Sequence, residues 1–202
     1  MLIMNFSIRQ THLAELPYFY KICLKTGDSG GDATDLFNDE YMLGQYFAAP
    51  YLHFDIASCF VLELDYIPVG YVIGTPDTSR FKEWMNADWL IEIRNQYKSD
   101  METKSDLEKW LLNIIHRDYR LNEFNDAYPS HLHIDLLPVA QKKGFGKKMI
   151  TRFLRHLVDE GSPGVQLSVG ESNTNAVGFY LKLGFMEMKR EEGEIIMGMQ
   201  LS

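Results

Sequence analysis

The stretch Leu136-Leu137-Pro138-Val139-Ala140-Gln141-Lys142-Lys143-Gly144-Phe145-Gly146-Lys147 carries the clearest chemistry in the sequence. It leaves an apolar run, crosses a short polar turn and enters a helical pattern. Glycines at 144 and 146 let a ligand approach the backbone with no Cβ in the way. The first amides of a helix have no internal partner. Together with the helix dipole they form a site for an anion such as a pyrophosphate. Lys142, Lys143 and Lys147 add positive charge there. The spacing is not that of a Walker A loop. It also lacks the first glycine of a dinucleotide fingerprint. A simple tight turn is the other reading of the same glycine pair.

Just upstream, His131, His133 and Asp135 alternate, so they share one face of a strand. A polar face on a central strand suits the wall of a cleft, where a histidine or carboxylate takes a proton from a nucleophile. The competing reading is a row of hydrogen-bonded structural groups. The loop Thr26 to Thr34 carries Asp28 and Asp32 among three glycines. Its carboxylates suit a cationic amine, or else form a capping turn with Asp32 or Thr34 as the cap. Trp84, Trp89 and Trp110 read as packing residues or as the lining of an acceptor pocket.

The elements that must position these groups follow from periodicity. Asn5 to Gln10 reads as a strand. Thr11 to Lys25 reads as a helix whose Pro17 either delays its start or lies in its first turn. A second helix is expected from Asp35 to Ala48, ending before Pro50. Cys59 to Leu64 and Val69 to Thr75 read as a hairpin. Arg80 to Arg120 reads as two helices broken near Ser99 to Ser105, within a helical insertion at about 78–125. His131 to Leu137, Gly144 to Glu160 and Val165 to Val169 form a strand, helix and strand, which implies a parallel pair. A helix at Asn175 to Leu183 and strands at Phe185 to Arg190 and Glu194 to Leu201 complete a mixed sheet. The fold class is therefore α/β, in one domain over 1–202.

Composition narrows the function. The net charge of −8 repels phosphate backbones, which argues against nucleic acid and suits a neutral or cationic acceptor. No apolar run approaches the ~18 residues of a membrane span, and Met1 to Phe6 is not a secretory signal. Cys23 and Cys59 lack metal-ligand spacing and read as reduced, buried thiols in a cytoplasmic protein.

Gln141-x-x-Gly144-x-Gly146 resembles the cofactor signature of the GNAT acetyltransferase superfamily. Asn173, Ala176, Tyr180 and Leu183-Gly184-Phe185 resemble its second signature, in the expected order, so the likeness spans roughly 131–200. The segments at 25–34, Ala49-Pro50-Tyr51, 70–74 and 133–138 are further similar to a bacterial branch of that superfamily. That branch resembles the acetyltransferase-like domain of animal nucleocytoplasmic O-GlcNAcases. The resemblance implies a GNAT fold in which a bulge in the fourth strand splays it from the fifth, with the insertion between the third and fourth strands. It implies acetyl-CoA as cofactor, with Leu136 and Leu137 offering backbone groups to pantetheine. The amides from Gln141 to Lys147 would hold the pyrophosphate, with Gly144, Phe145 and Gly146 among them, and Asn173 would touch the pantetheine side. Tyr180 matches the acid that protonates the sulfur, though a core tyrosine is the alternative. Asp135, nearest the bulge, ranks first as the group that meets the acceptor, and His133 next. The expected activity is transfer of an acetyl group to an amine of a small molecule or protein. The alternative is a non-catalytic acetyl-CoA-binding or recognition module. Either is expected as a monomer or homodimer.

Overall fold

The computed structural model describes residues 5–191 and 193–202. Met1 to Met4 of the opening segment lie outside the described residues. Seven strands form one sheet: β1 (Phe6–Gln10), β2 (Cys59–Leu64), β3 (Ile67–Thr75), β4 (Ser130–Leu136), β5 (Gly164–Gly170), β6 (Met186–Glu191) and β7 (Glu194–Gln200). Their order is β1-β2-β3-β4-β5-β7-β6. Among the described residues only β4 and β5 pair in parallel, so the sheet is mixed as expected. The hairpin β2–β3 turns on Asp65 and Tyr66, both at positive φ (50° and 71°). A two-residue turn of that hand matches the twist of the strands it joins.

The alternation of the strands divides the core between two faces. Tyr71 and Ile73 of β3 point to one side, where α1 (Leu16–Thr26), α2 (Met42–Phe47) and α3 (Ala49–Phe54) pack. Val72 points to the other, joined by Val69 at a register shift in the β2–β3 ladder, with Ile150 and Phe153 of α7 (Phe145–Asp159) and Tyr180 of α8 (Thr174–Leu183). The segment between β3 and β4 supplies α4 (Thr78–Trp84), a π turn (Met85–Trp89), α5 (Leu90–Gln96) and α6 (Asp106–Ile115) to the first face.

Three local expectations are refined. The first helix starts late, after a 3₁₀ turn at Leu13–Glu15, and Pro17 does lie in its first turn. The single helix expected over Asp35 to Ala48 is instead a 3₁₀ turn at Thr34–Leu36 followed by α2. The chain bends at Ala48 and resumes as α3, with Pro50 in its opening turn. Proline is tolerated there because that N–H would have no helical partner. The helix expected from Arg80 begins at Thr78, because the Asp77 carboxylate accepts from the Arg80 amide at 3.0 Å. After the expected break, Ser105 caps α6 by accepting from Glu108 N at 3.0 Å.

The parallel pair positions the site. β4 meets β5 only at Ser130/Val165 and His131/Gln166, then the two part. β4 stays in register with β3 to Gly70/Leu136, and β5 with β7 to Gly170/Glu194. No register shift interrupts the β3–β4 ladder, so that ladder carries no sign of the expected bulge. The two halves of the twisted sheet diverge between the strands. Among the described residues, no helix is long and apolar enough to cross a membrane.

Candidate active site

Where β4 and β5 part lies a cleft of about 1510 Å³. At one end is the turn from β4 into α7. Ala140 N donates to Leu137 O (2.8 Å) and Gln141 N to Pro138 O (3.3 Å), which folds the chain back, and Ala140 is buried beneath. Lys142 (φ 57°) and Gly144 (φ 81°) then turn left-handed. The amides from Lys142 to Lys147 make no backbone hydrogen bond, and α7 has no acidic residue in its first turn. Nothing lies within 4 Å of where a Cβ on Gly144 would stand. This is a nest of free donors open to an anion. Lys142 and Lys147 border the cleft. Lys143 does not; its Nζ lies 5.5 Å above the Phe6 ring, and the Phe145 ring stacks on Phe6 at 4.3 Å. Gly146 serves packing as well, since a Cβ there would come within 3.1 Å of the Phe179 ring.

The edge of β4 is partly claimed by the protein. Leu137 N donates to Val69 O at 2.9 Å, which ties Leu137 into the β3 ladder. The Gln141 side chain donates to Leu136 O at 2.8 Å. In an antiparallel ladder successive residues face opposite sides. Ile134 and Leu136 therefore turn their backbone groups toward the gap, and Leu137 does not. Across the gap, Asn173 caps α8 by accepting from Ala176 N at 3.1 Å, with its side-chain amide nitrogen near Gly30.

The three polar residues of β4 share a face but not an environment. His131 is bonded at both ring nitrogens, to Tyr51 Oη and Thr78 Oγ1, each at 2.8 Å. Burial pushes its pKa down to about 3, so it is a neutral structural group. His133 borders the cleft beside Phe47 and Tyr51, and burial lowers its pKa to about 4. Asp135 borders the cleft and accepts from Tyr71 Oη at 2.5 Å. Desolvation lifts its pKa to about 6, while the hydroxyls of Tyr71 and Thr26 pull the other way by favouring the charged form. A carboxyl poised there is charged at neutral pH and still basic enough to accept a proton. Tyr180, on α8, reaches the same cleft with a hydroxyl that bonds to no protein group among the described residues. Burial, then the nearby Asp135 charge, raises its pKa well above the ordinary tyrosine value, so it keeps its proton.

A model of the acetyltransferase (GNAT) family matches residues 31–185. The chain belongs to the GNAT acetyltransferase family. The crystal structure named SsHAT superposes with a TM-score of 0.90 at 34% identity, covering 97% of this chain and 98% of that one. YncA, a putative acetyltransferase from Salmonella typhimurium solved with its cofactor acetyl-CoA, shares the fold at 13% identity and a TM-score of 0.58, covering 98% and 94%. The protein O-GlcNAcases of Rattus norvegicus and Mus musculus are 28% identical over 192 residues, 88% of this chain. The chain spans 20% of the length of those curated relatives.

In this GNAT chain neither Asp32 nor Thr34 caps the 3₁₀ turn, whose N-cap is Ala33 without a side-chain bond, and Asp28 joins the loop through backbone bonds to Gly31. Asp32 accepts from Thr34 N (2.9 Å) and pairs with Lys25 (2.8 Å), while Ser29 and Gly30 form the tip that borders the cleft. Trp84 and Trp89 pack on each other, and Trp89 Nε1 donates to Gln45 O at 2.8 Å. Trp110 alone of the three borders the cleft. Three contributors escaped the sequence reading: Tyr71, Thr26 and Phe47. The alternation of β3 is a usable signal for Tyr71, since it places that residue on one face with Ile73. No local pattern marks the other two.

Proposed function

We propose that this chain is an acetyl-CoA-dependent N-acetyltransferase acting on an amine. The observation that carries it is one continuous cleft with free helix-start amides at one end and Asp135 and Tyr180 in its walls. Acetyl-CoA, when bound, supplies an acetyl group activated as a thioester. The amides from Lys142 to Lys147, with Lys142 and Lys147 beside them, fit its pyrophosphate. The backbone of Ile134 and Leu136 and the Asn173 side chain fit the pantetheine arm.

Asp135 takes one proton from the acceptor ammonium. The freed amine nitrogen gains a bond to the acetyl carbon as that carbon loses its bond to sulfur. With acetyl-CoA bound, Tyr180 Oη–H would give its proton to the departing sulfur and regain one from the nitrogen, whose second proton is released as the amide forms, while Asp135 returns its proton to water. His133, held neutral at a pKa near 4, is too weak a base for an ammonium and serves as cleft wall. Asp135 thus stands ahead of His133 as the base. The two unbridged, buried cysteines support a reducing compartment such as the cytoplasm.

Two measurements test the reading. Coenzyme A at a hundredfold excess over its Kd stabilises the native state by about 2.7 kcal/mol. For a domain of this size that is a rise of roughly 5–11 °C in Tm. No shift at millimolar coenzyme A removes the cofactor site. Release of free thiol from acetyl-CoA across a panel of amines then separates the enzyme from a recognition module, which binds without turnover.

A further inference from the structure

The acceptor side of the cleft has a composition that the chemistry above does not require. Leu43 and Phe47 of α2 and Leu107 and Trp110 of α6 border it opposite His133 and Asp135. The Phe47 and Trp110 rings lie 7° from parallel with centroids 6.0 Å apart, and Phe47 meets His133 edge-on at 5.9 Å. Trp110 remains 48% exposed, while Leu111, Leu112 and Ile115 of the same helix anchor it in the core. Trp110 thus extends Leu43, Phe47 and Leu107 into one apolar patch along the cleft, and a contiguous exposed apolar patch marks a contact site.

Charge is distributed to match. The basic side chains bordering the cleft, Lys142 and Lys147, both stand at the start of α7. Among the described residues, the acidic ones are Asp135, Glu191 and Glu194, of which Glu191 is already paired with Lys189. A cationic amine thus finds a carboxylate at Asp135, while the Leu43, Phe47, Leu107 and Trp110 wall offers a second polar group only the Trp110 indole N–H and no acceptor. Burying a polar group without a partner is unfavourable, whereas a flat ring gains stacking and edge contacts with Phe47 and Trp110.

We propose that this wall is the acceptor subsite and that it selects a small primary amine carried on a flat aromatic body, an arylalkylamine, with its nitrogen directed at Asp135. The assignment rests on the acetyl-transfer reading, but its test does not. Protein saturated with coenzyme A, which cannot donate an acetyl group, is titrated calorimetrically with 2-phenylethylamine, tryptamine, hexylamine and spermidine. The aryl amines bind about tenfold tighter than hexylamine, the scale of one ring contact. Trp110→Ala erases that preference; because Trp110 is half exposed, the variant folds. Tyr66→Ala, which removes an 85% exposed tyrosine in the β2–β3 turn, retains it. Tighter binding of hexylamine or spermidine overturns the proposal, as does a preference that survives Trp110→Ala. Aryl amines that bind selectively but accept no acetyl group uphold the subsite and sink the transferase reading. Faster acetylation of hexylamine and spermidine does the reverse.

Discussion

Replacing Asp135 by Asn separates the catalytic and structural consequences of one buried charge. Its carboxyl rises from 3.8 to about 6, chiefly through desolvation. One pKa unit is worth 1.36 kcal/mol, so holding the charged form in the fold costs up to about 3 kcal/mol. Below the unfolded value near 4, both states are protonated and the charge costs nothing. As pH climbs through 6, the native state loses that increment in full. Asparagine is isosteric, and its oxygen still accepts from Tyr71 Oη. Asp135→Asn is therefore expected to match the parent in Tm at pH 4 and to exceed it at pH 8 by roughly 6–12 °C.

The same substitution removes the base. Parent kcat/KM falls tenfold per pH unit below about 6, where desolvation places the Asp135 carboxyl. The variant loses that limb and about 10²–10⁴ in rate. Thermal melts at both pH values and a pH–rate profile with any competent amine are the assay. A variant that melts below the parent at pH 8 refutes the desolvation argument. One that keeps its turnover, with the limb still near 6, places the base elsewhere.

Further expectations follow from the same cleft. Tyr71→Phe removes a bond that favours charged Asp135, so the acid limb of the profile moves upward from 6 while coenzyme A affinity holds; an unmoved limb separates Tyr71 from the base. Tyr180→Phe leaves no orphaned partner, so Tm and coenzyme A affinity hold while kcat drops about 10²–10⁴-fold, and parent-like turnover shows that another group protonates the sulfur. Gly144→Val sets a branched side chain at φ 81°, which costs about 1–2 kcal/mol, and fills the open cradle, so coenzyme A binding falls well beyond the stability change. Gly146→Val instead presses on Phe179 and lowers Tm without ligand; equal coenzyme A affinity in both variants places the anion site elsewhere.

The legible parts of this protein are those whose physics is local. The turn into α7 and its free amides depend on residues within one short segment, and the strand-helix-strand around it follows from periodicity alone. The misread helix at Asp35 to Ala48 is also local, but its outcome turns on Ala48 bending and on Pro50 opening a new helix rather than ending an old one. Periodicity does not distinguish these two uses of proline.

The polar face of β4 shows where such reasoning stops. His131, His133 and Asp135 are equivalent by alternation, and their differences come from what lies opposite. His131 meets Tyr51 and Thr78, which occupy both its nitrogens. His133 meets Phe47, which offers an edge and no hydrogen bond. Asp135 meets Tyr71, 64 residues away in sequence, which holds the carboxyl in place without neutralising it. One face therefore holds a structural imidazole, a neutral wall and a poised carboxylate, assigned by partners from α2, α3, α4 and β3. The residue proposed as the base is the one whose partner leaves it both desolvated and open to the cleft, and only the packing of those elements decides which of the three that is.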